Sequence, residues 1–240
     1  ISFGVQAFDP GELGRLGRLH SAERDEEAVR AARRAGLANL SLDLMLWLPQ
    51  QTRGHMAESI ARLIEVEPEH ASVYLLEVYP NSPLKDTMAR GGWVVASDDE
   101  AADMYLETMD ALERAGYAQY EISNFARPGS ECRHNLRYWR CDDWLGLGPA
   151  AHSYVDGRRF RHLPDLERWI ETPNAIDELP CEPGVERAML GLRLTEGIEE
   201  SGLVQLPLTA GELERRLSRL GPFLRRERGR IRLEEEAFLV

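Results

Sequence analysis

Asn39-Leu40-Ser41-Leu42-Asp43-Leu44-Met45-Leu46 is the stretch that decides the fold. Four leucines alternate with Ser41, Asp43 and Met45, and a period of two separates faces only in an extended strand. One face packs beneath helices; the other carries a lone carboxylate. Pro49 ends the strand, and Thr52 caps a helix with Met56, Ile60, Leu63 and Ile64 on one side. A third strand over 71–78 follows Pro68. Upstream, Ile1, Phe3, Val5 and Ala7 alternate with Ser2, Gly4, Gln6 and Phe8, which predicts a first strand. A short helical turn and a helix over 21–35, stopped by Gly36, connect it to the leucine strand. Ser97 and Glu100 form a capping-box pattern ahead of a long helix that ends near Gly116, and 120–125 reads as a final short strand. Alternating strands and helices predict an α/β unit of parallel strands with right-handed crossovers. This part takes about 125 residues, and a complete eight-unit barrel typically takes about 250, so it is at most half a barrel.

The chain has 240 residues, 43% of them apolar, enough for a sizeable core. Acidic residues number 41 against 29 basic ones, a formal charge of −12 that argues against a nucleic-acid binder held by phosphate contacts. No apolar run approaches the length of a transmembrane helix. Cys132, Cys141 and Cys181 are too scattered for a disulfide framework or an iron–sulfur cluster, and a reducing, cytoplasmic setting fits them. The chain opens inside a strand without an initiator methionine, and a strand needs partners. An earlier part of the protein is therefore expected to be missing.

Three segments follow from these patterns: the barrel part over 1–126, a motif-rich connection over 127–179, and a small α+β domain over 180–240. The last has helical runs over 186–194 and 210–220 and two short strand-like runs around Arg228-Gly229-Arg230, winged-helix-like in outline. Its basic residues are interleaved with glutamates.

In parallel α/β units, functional side chains gather at the carboxyl ends of strands. Gln6 and Asp43 are expected there, on the parity opposite the helix-packing residues. An inward carboxylate needs a donor or a ligand, and Arg18 is the candidate partner. The stretch from 127 to 161 holds seven arginines against four acids, locally +3, interleaved with His134, Tyr138, Trp139, Trp144, His152, Tyr154 and Phe160. Guanidinium groups match carboxylates bidentately and aromatic rings form flat walls, so the stretch suits a flat anion or an aromatic anchor between domains.

Several runs carry a resemblance. They are Gly4-Val5-Gln6-Ala7-Phe8, Leu16-Gly17-Arg18-Leu19-His20, Leu42-Asp43-Leu44-Met45 and Tyr120-Glu121-Ile122-Ser123-Asn124-Phe125-Ala126. His134-Asn135-Leu136-Arg137-Tyr138-Trp139 and 145–153 complete the set. Together they resemble the radical S-adenosylmethionine proteins related to oxygen-independent coproporphyrinogen III oxidase, and within them the heme-chaperone branch. The resemblance implies the carboxyl-terminal portion of a partial (β/α)6 barrel, with S-adenosyl-L-methionine and a [4Fe-4S] cluster, and heme as the bound partner. It puts Gln6, Arg18 and Asp43 on positions that contact the adenosylmethionine, and His134, Asn135, Tyr138 and Trp139 on the motif associated with heme.

Two departures stand out. The family's Cys-x3-Cys-x2-Cys motif is absent, so this chain alone is expected to be inactive. The family's Leu-Asp-Leu-Met-Tyr-Gly-Leu-Pro-Gly-Gln-Thr is written here with Trp47 and Gln50 at the glycine positions. An indole at 47 is expected to narrow the cofactor pocket. The implied function is delivery of heme to hemoproteins. The alternatives are oxidative decarboxylation of coproporphyrinogen III and a binding module without a cluster.

Overall fold

The computed structural model describes residues 1–234 together with Ala237 and Phe238. The chain forms two compact units, 1–131 and 132–240. The first contains β1 (Ser2–Gln6), α1 (Pro10–Arg15), α2 (Ala22–Arg34), β2 (Ser41–Leu46), α3 (Arg53–Val66) and β3 (His70–Leu75). It continues with α4 (Pro83–Gly91), α5 (Asp98–Arg114), β4 (Ala118–Glu121) and β5 (Asn124–Ala126). Leu42, Leu44 and Leu46 are buried on one face of β2, while Ser41, Asp43 and Met45 alternate on the other. Beneath the leucines lie Met56, Ile60 and Leu63 of α3 and Met104 and Leu112 of α5, all buried. Burying such side chains supplies about 1.5–3 kcal/mol each, which holds the helices against the sheet. The expected caps form: Thr52 Oγ1 accepts from His55 N, and Ser97 and Glu100 close a capping box.

β1, β2 and β3 are parallel neighbours, as the alternation predicts. The final strand is not. Residues 118–126 fold into a hairpin, and β5 lies antiparallel to β3 with β4 outside it, so the open sheet runs β1-β2-β3-β5-β4. The cause is Glu121, whose fully buried side chain accepts from Ser123 N (3.0 Å) and from the Asn124 amide, closing the turn. Helix α4 has no fully buried residue, and its Leu84 packs against the cluster of Ala7, Leu13, Leu48 and Leu76. Pro83 at its start and the Ser82 cap make it.

Trp47 and Gln50 have φ of 64° and 59°. Left-handed backbone costs a side-chain-bearing residue about 1–2 kcal/mol and glycine almost nothing. This backbone conformation is one that glycine adopts most easily, which suits the family's glycine at both positions. The Trp47 indole donates to the Ala96 carbonyl at 2.8 Å, which ties it to the segment preceding α5.

The second unit contains α6 (Arg133–Trp139), β6 (His152–Val155), β7 (Arg158–His162), α7 (Leu166–Glu171) and β8 (Ile176–Leu179). Then come α8 (Pro183–Gly191), β9 (Ile198–Glu199), α9 (Ala210–Arg219), β10 (Leu224–Glu227) and β11 (Arg230–Leu233). The motif-rich connection expected over 127–179 holds an antiparallel sheet, β6-β7-β8. Asp156 and Gly157 turn β6 into β7 with φ of 51° and 72°, a hairpin geometry that favours this residue pair. The helix-plus-hairpin outline expected near the end is present as sheet β10-β11-β9, packed through Ile198, Leu203 and Ile231 on Leu213 and Leu217 of α9. Residues 235–236 and 239–240 of that predicted region lie outside the described residues. Among the described residues no helix is long and apolar enough to cross a membrane.

Candidate functional site

In the first unit, the sheet face opposite the leucines is a polar surface. Ser2 Oγ donates to Asp43 Oδ1 at 2.8 Å, and the Tyr74 hydroxyl donates to Gln6 Oε1 at 2.7 Å. Ser41 Oγ, His70 and the Tyr120 hydroxyl form a chain with two 2.8 Å contacts. Gln6 ends β1 with φ 68°, and its side chain folds back over Gly4, where an added Cβ would lie 2.6 Å from Gln6 Nε2. The glycine of Gly4-Val5-Gln6 is what leaves room for that amide.

Asp43 lies in the first half of β2, short of the strand's carboxyl end. Burial pushes its carboxyl up, and hydrogen bonds from Ser2 and Ser41 oppose the shift. The expected ion pair with Arg18 does not form among the described residues. Ser2 supplies the donor, because it stands in register with Ser41 on the neighbouring strand. Arg18 is exposed on the turn after α1. What joins Gln6, Asp43 and Arg18 is Tyr74. Its phenol is pushed up first by burial and then by Asp43, while Arg18 and the bond to Gln6 pull it down. Tyr74 was not distinguishable in sequence, since its place on the polar face rests on the register Met45↔Tyr74.

In the second unit, His134 and Tyr138 stand one turn apart on α6, a spacing that puts them on one face. The Tyr138 hydroxyl and His134 Nε2 are 3.1 Å apart, and their rings meet edge to face with centroids 4.8 Å apart. Trp144 packs edge to face on the other side of Tyr138, also at 4.8 Å. With Trp139, Leu145, Leu147 and His152 these side chains line a cleft of about 610 Å³. Trp139 packs under the Arg193 guanidinium, 4.4 Å from its ring, and its Nε1 is buried without a hydrogen-bond partner. Asn135 is half-buried on the same helix. Trp144 and His152 enter this cleft through Gly146, where an added Cβ would overlap the His152 carbonyl oxygen.

Most of the local positive charge is compensated. Arg159 pairs with Glu186 at 2.9 Å, Arg161 with Asp177 at 3.4 Å and Arg140 with Glu196 at 3.2 Å; Arg158 pairs with Glu178. All four acids lie beyond 161, so counting charge along 127–161 overstates the field. Arg133 and Arg137, one turn apart on α6 and exposed, have no ion pair among the described residues. The cysteines do not suit a cluster: burial pushes the Cys141 and Cys181 thiols up, which disfavours the thiolate that iron needs.

No family model matches the chain. It is 36% identical over 208 residues to the heme chaperone HemW of Bacillus subtilis, covering 83% of this chain and 55% of that protein. It is 37% identical over 208 residues to the Synechocystis HemW, covering 82% and 50%. With the Escherichia coli HemW it shares 39% over 164 residues, 67% of this chain and 42% of that one. The chain thus spans about half the length of the curated relatives it matches. Its fold is that of the E. coli coproporphyrinogen III oxidase HemN, a radical SAM enzyme, with TM-score 0.77 and 21% identity over 99% of this chain and 61% of that one.

Proposed function

Because the chain belongs to the HemW/HemN-like family, we propose that it is part of a heme chaperone, which binds heme and hands it to hemoprotein acceptors. The observation that carries this reading is the α6 cleft. Tyr138 and Trp144 offer flat apolar walls for a macrocycle, His134 offers an imidazole beside them, and Arg133 and Arg137 are cations on the same helix without an ion pair among the described residues. Guanidinium groups pair well with the propionates of a heme.

The polar face of the first unit supports a second role. Gln6 and Asp43, bordered by Tyr74 and Arg18, would hold S-adenosyl-L-methionine through its hydroxyl and amino groups. That group, when bound beside an iron–sulfur cluster, supplies radical chemistry. The chain's own cysteines do not fit a cluster, so its residues here bind and orient.

Hemin titration of the full protein containing this chain tests the proposal. A saturable Soret change is expected, and His134→Ala and Tyr138→Ala should each weaken binding by about fivefold or more, consistent with about 1 kcal/mol per lost contact. Unchanged affinity in both variants overturns the assignment. Anaerobic incubation with coproporphyrinogen III should yield no protoporphyrinogen; its formation would favour the oxidase instead.

A further inference from the structure

Glu12 lies at the start of α1 with its side chain fully buried. One oxygen, Oε2, accepts from Gln51 Nε2 at 3.3 Å. The other, Oε1, makes no hydrogen bond, although it stands 3.3 Å from His55 Nδ1 of α3. His55 Nδ1 is itself buried at the atom and makes no hydrogen bond. The two atoms form an ion-pair contact without hydrogen-bond geometry, and a buried carboxylate oxygen with no aligned donor costs several kcal/mol by transfer measures of about 2–7. An oxygen of Asp9 completes the group, and the three ligand atoms lie within 4.8 Å of one another.

We propose that Asp9, Glu12 and His55 bind a divalent transition-metal ion of the zinc type. Two ligand atoms held about 2.1 Å from a tetrahedral metal lie about 3.4 Å apart, close to the spacing found between Glu12 Oε1 and His55 Nδ1. Two carboxylates balance the charge of a divalent cation, and a neutral imidazole completes three protein ligands, leaving a position for water. Imidazole with carboxylates favours Zn²⁺, Co²⁺ or Mn²⁺ over calcium and over copper(I), which prefers thiolates. Gln51 acts from behind, fixing the free oxygen of Glu12 and reaching the Met45 carbonyl at 3.4 Å. His55 is 38% exposed at its side chain, which leaves an entry path for the ion. Bound there, the metal would staple α1 to α3. Nothing in the heme or adenosylmethionine assignments depends on it.

Cobalt titration of the chain is the test. A saturable visible d–d band is expected, without the near-ultraviolet absorption of cobalt–thiolate bonds. His55→Ala and Glu12→Gln should weaken binding at least tenfold, and His20→Ala should leave it unchanged. Zinc should raise the melting temperature, and a chelator should reverse the rise. No saturable band, a band unchanged by His55→Ala, or one carrying thiolate absorption would overturn the site. His55 is partly exposed, so its variant keeps the test decisive even if Glu12→Gln fails to fold.

Discussion

His70 is held between two hydroxyls, Ser41 on one ring nitrogen and Tyr120 on the other, and only 6% of it is exposed. Burial pushes its pKa down to about 4 from 6.5, with Glu131 opposing the shift. A group depressed in the folded state contributes stability that is present above its unfolded pKa and lost as pH falls toward the folded one. Between pH 6.5 and 4, therefore, the neutral ring is a growing liability. Asp25 acts oppositely: burial raises it to about 6, so it favours the fold more as pH falls over much of the same window. Comparing variants isolates the histidine. His70→Gln should lose about 2 kcal/mol less than the parent between pH 7 and pH 4.5 in urea unfolding. An equal loss in both would mean that His70 does not titrate as described. The strand expected over 71–78 begins one residue earlier, at His70. That both ring nitrogens would find hydroxyls 29 and 50 positions away was not visible in sequence.

Elements show a sharper division. Thr52, Ser97, Gly36 and the leucine alternation announced α3, α5, α2 and β2 within a residue or two, because caps and periodicity depend on neighbours within one turn. Asp156-Gly157 was an equally local hairpin signal, but the arginines flanking it hid the alternation that would have framed two strands. The β4–β5 hairpin defeated periodicity for another reason: Tyr120 and Ile122 continue an alternating pattern straight through a turn that buried Glu121 imposes. Gly146 belongs at this scale too. Its amide donates to Ser153 Oγ at 3.0 Å, and its missing side chain lets the segment after Trp144, which bridges to Tyr154, lie against His152. Gly146→Ala should therefore destabilise the second unit by about 1–3 kcal/mol in denaturant unfolding. It should weaken hemin binding as well, since Trp144 and His152 would be displaced. A neutral effect on stability would show that the backbone yields there.

At the scale of the molecule, the formal −12 conceals how the arginines are spent. Those on β7 meet acids on β8 and α8, whereas Arg133 and Arg137 stay unpaired among the described residues. Replacing both with glutamine should weaken hemin binding by about tenfold, in line with about 1.5 kcal/mol for a hydrogen bond to a charged group. Arg158→Gln with Arg161→Gln should leave it nearly unchanged, because exposed pairs contribute about 0–1 kcal/mol and their charges are already matched. Equal effects from the two double variants would mean that net charge, not position, governs binding; a titration at two salt concentrations distinguishes them further.

The sequence by itself determined that the first three strands run parallel, the leucine face with helices beneath it, the capped helices, and the family motifs that fall on β1, β2 and α6. Each depends on residues close together in the chain, whose dihedral preferences and periodicity act before any long-range contact forms. Tertiary structure alone decided that β5 inserts beside β3, that Ser2 and not Arg18 serves Asp43, that Tyr74 joins the polar face, and that Glu12 and His55 face each other as an ion pair without hydrogen-bond geometry. These outcomes turn on strand register and on the burial of polar groups. Both are settled only when residues 41 to 68 positions apart are packed out of water, where an unmatched donor or acceptor costs more than any local preference.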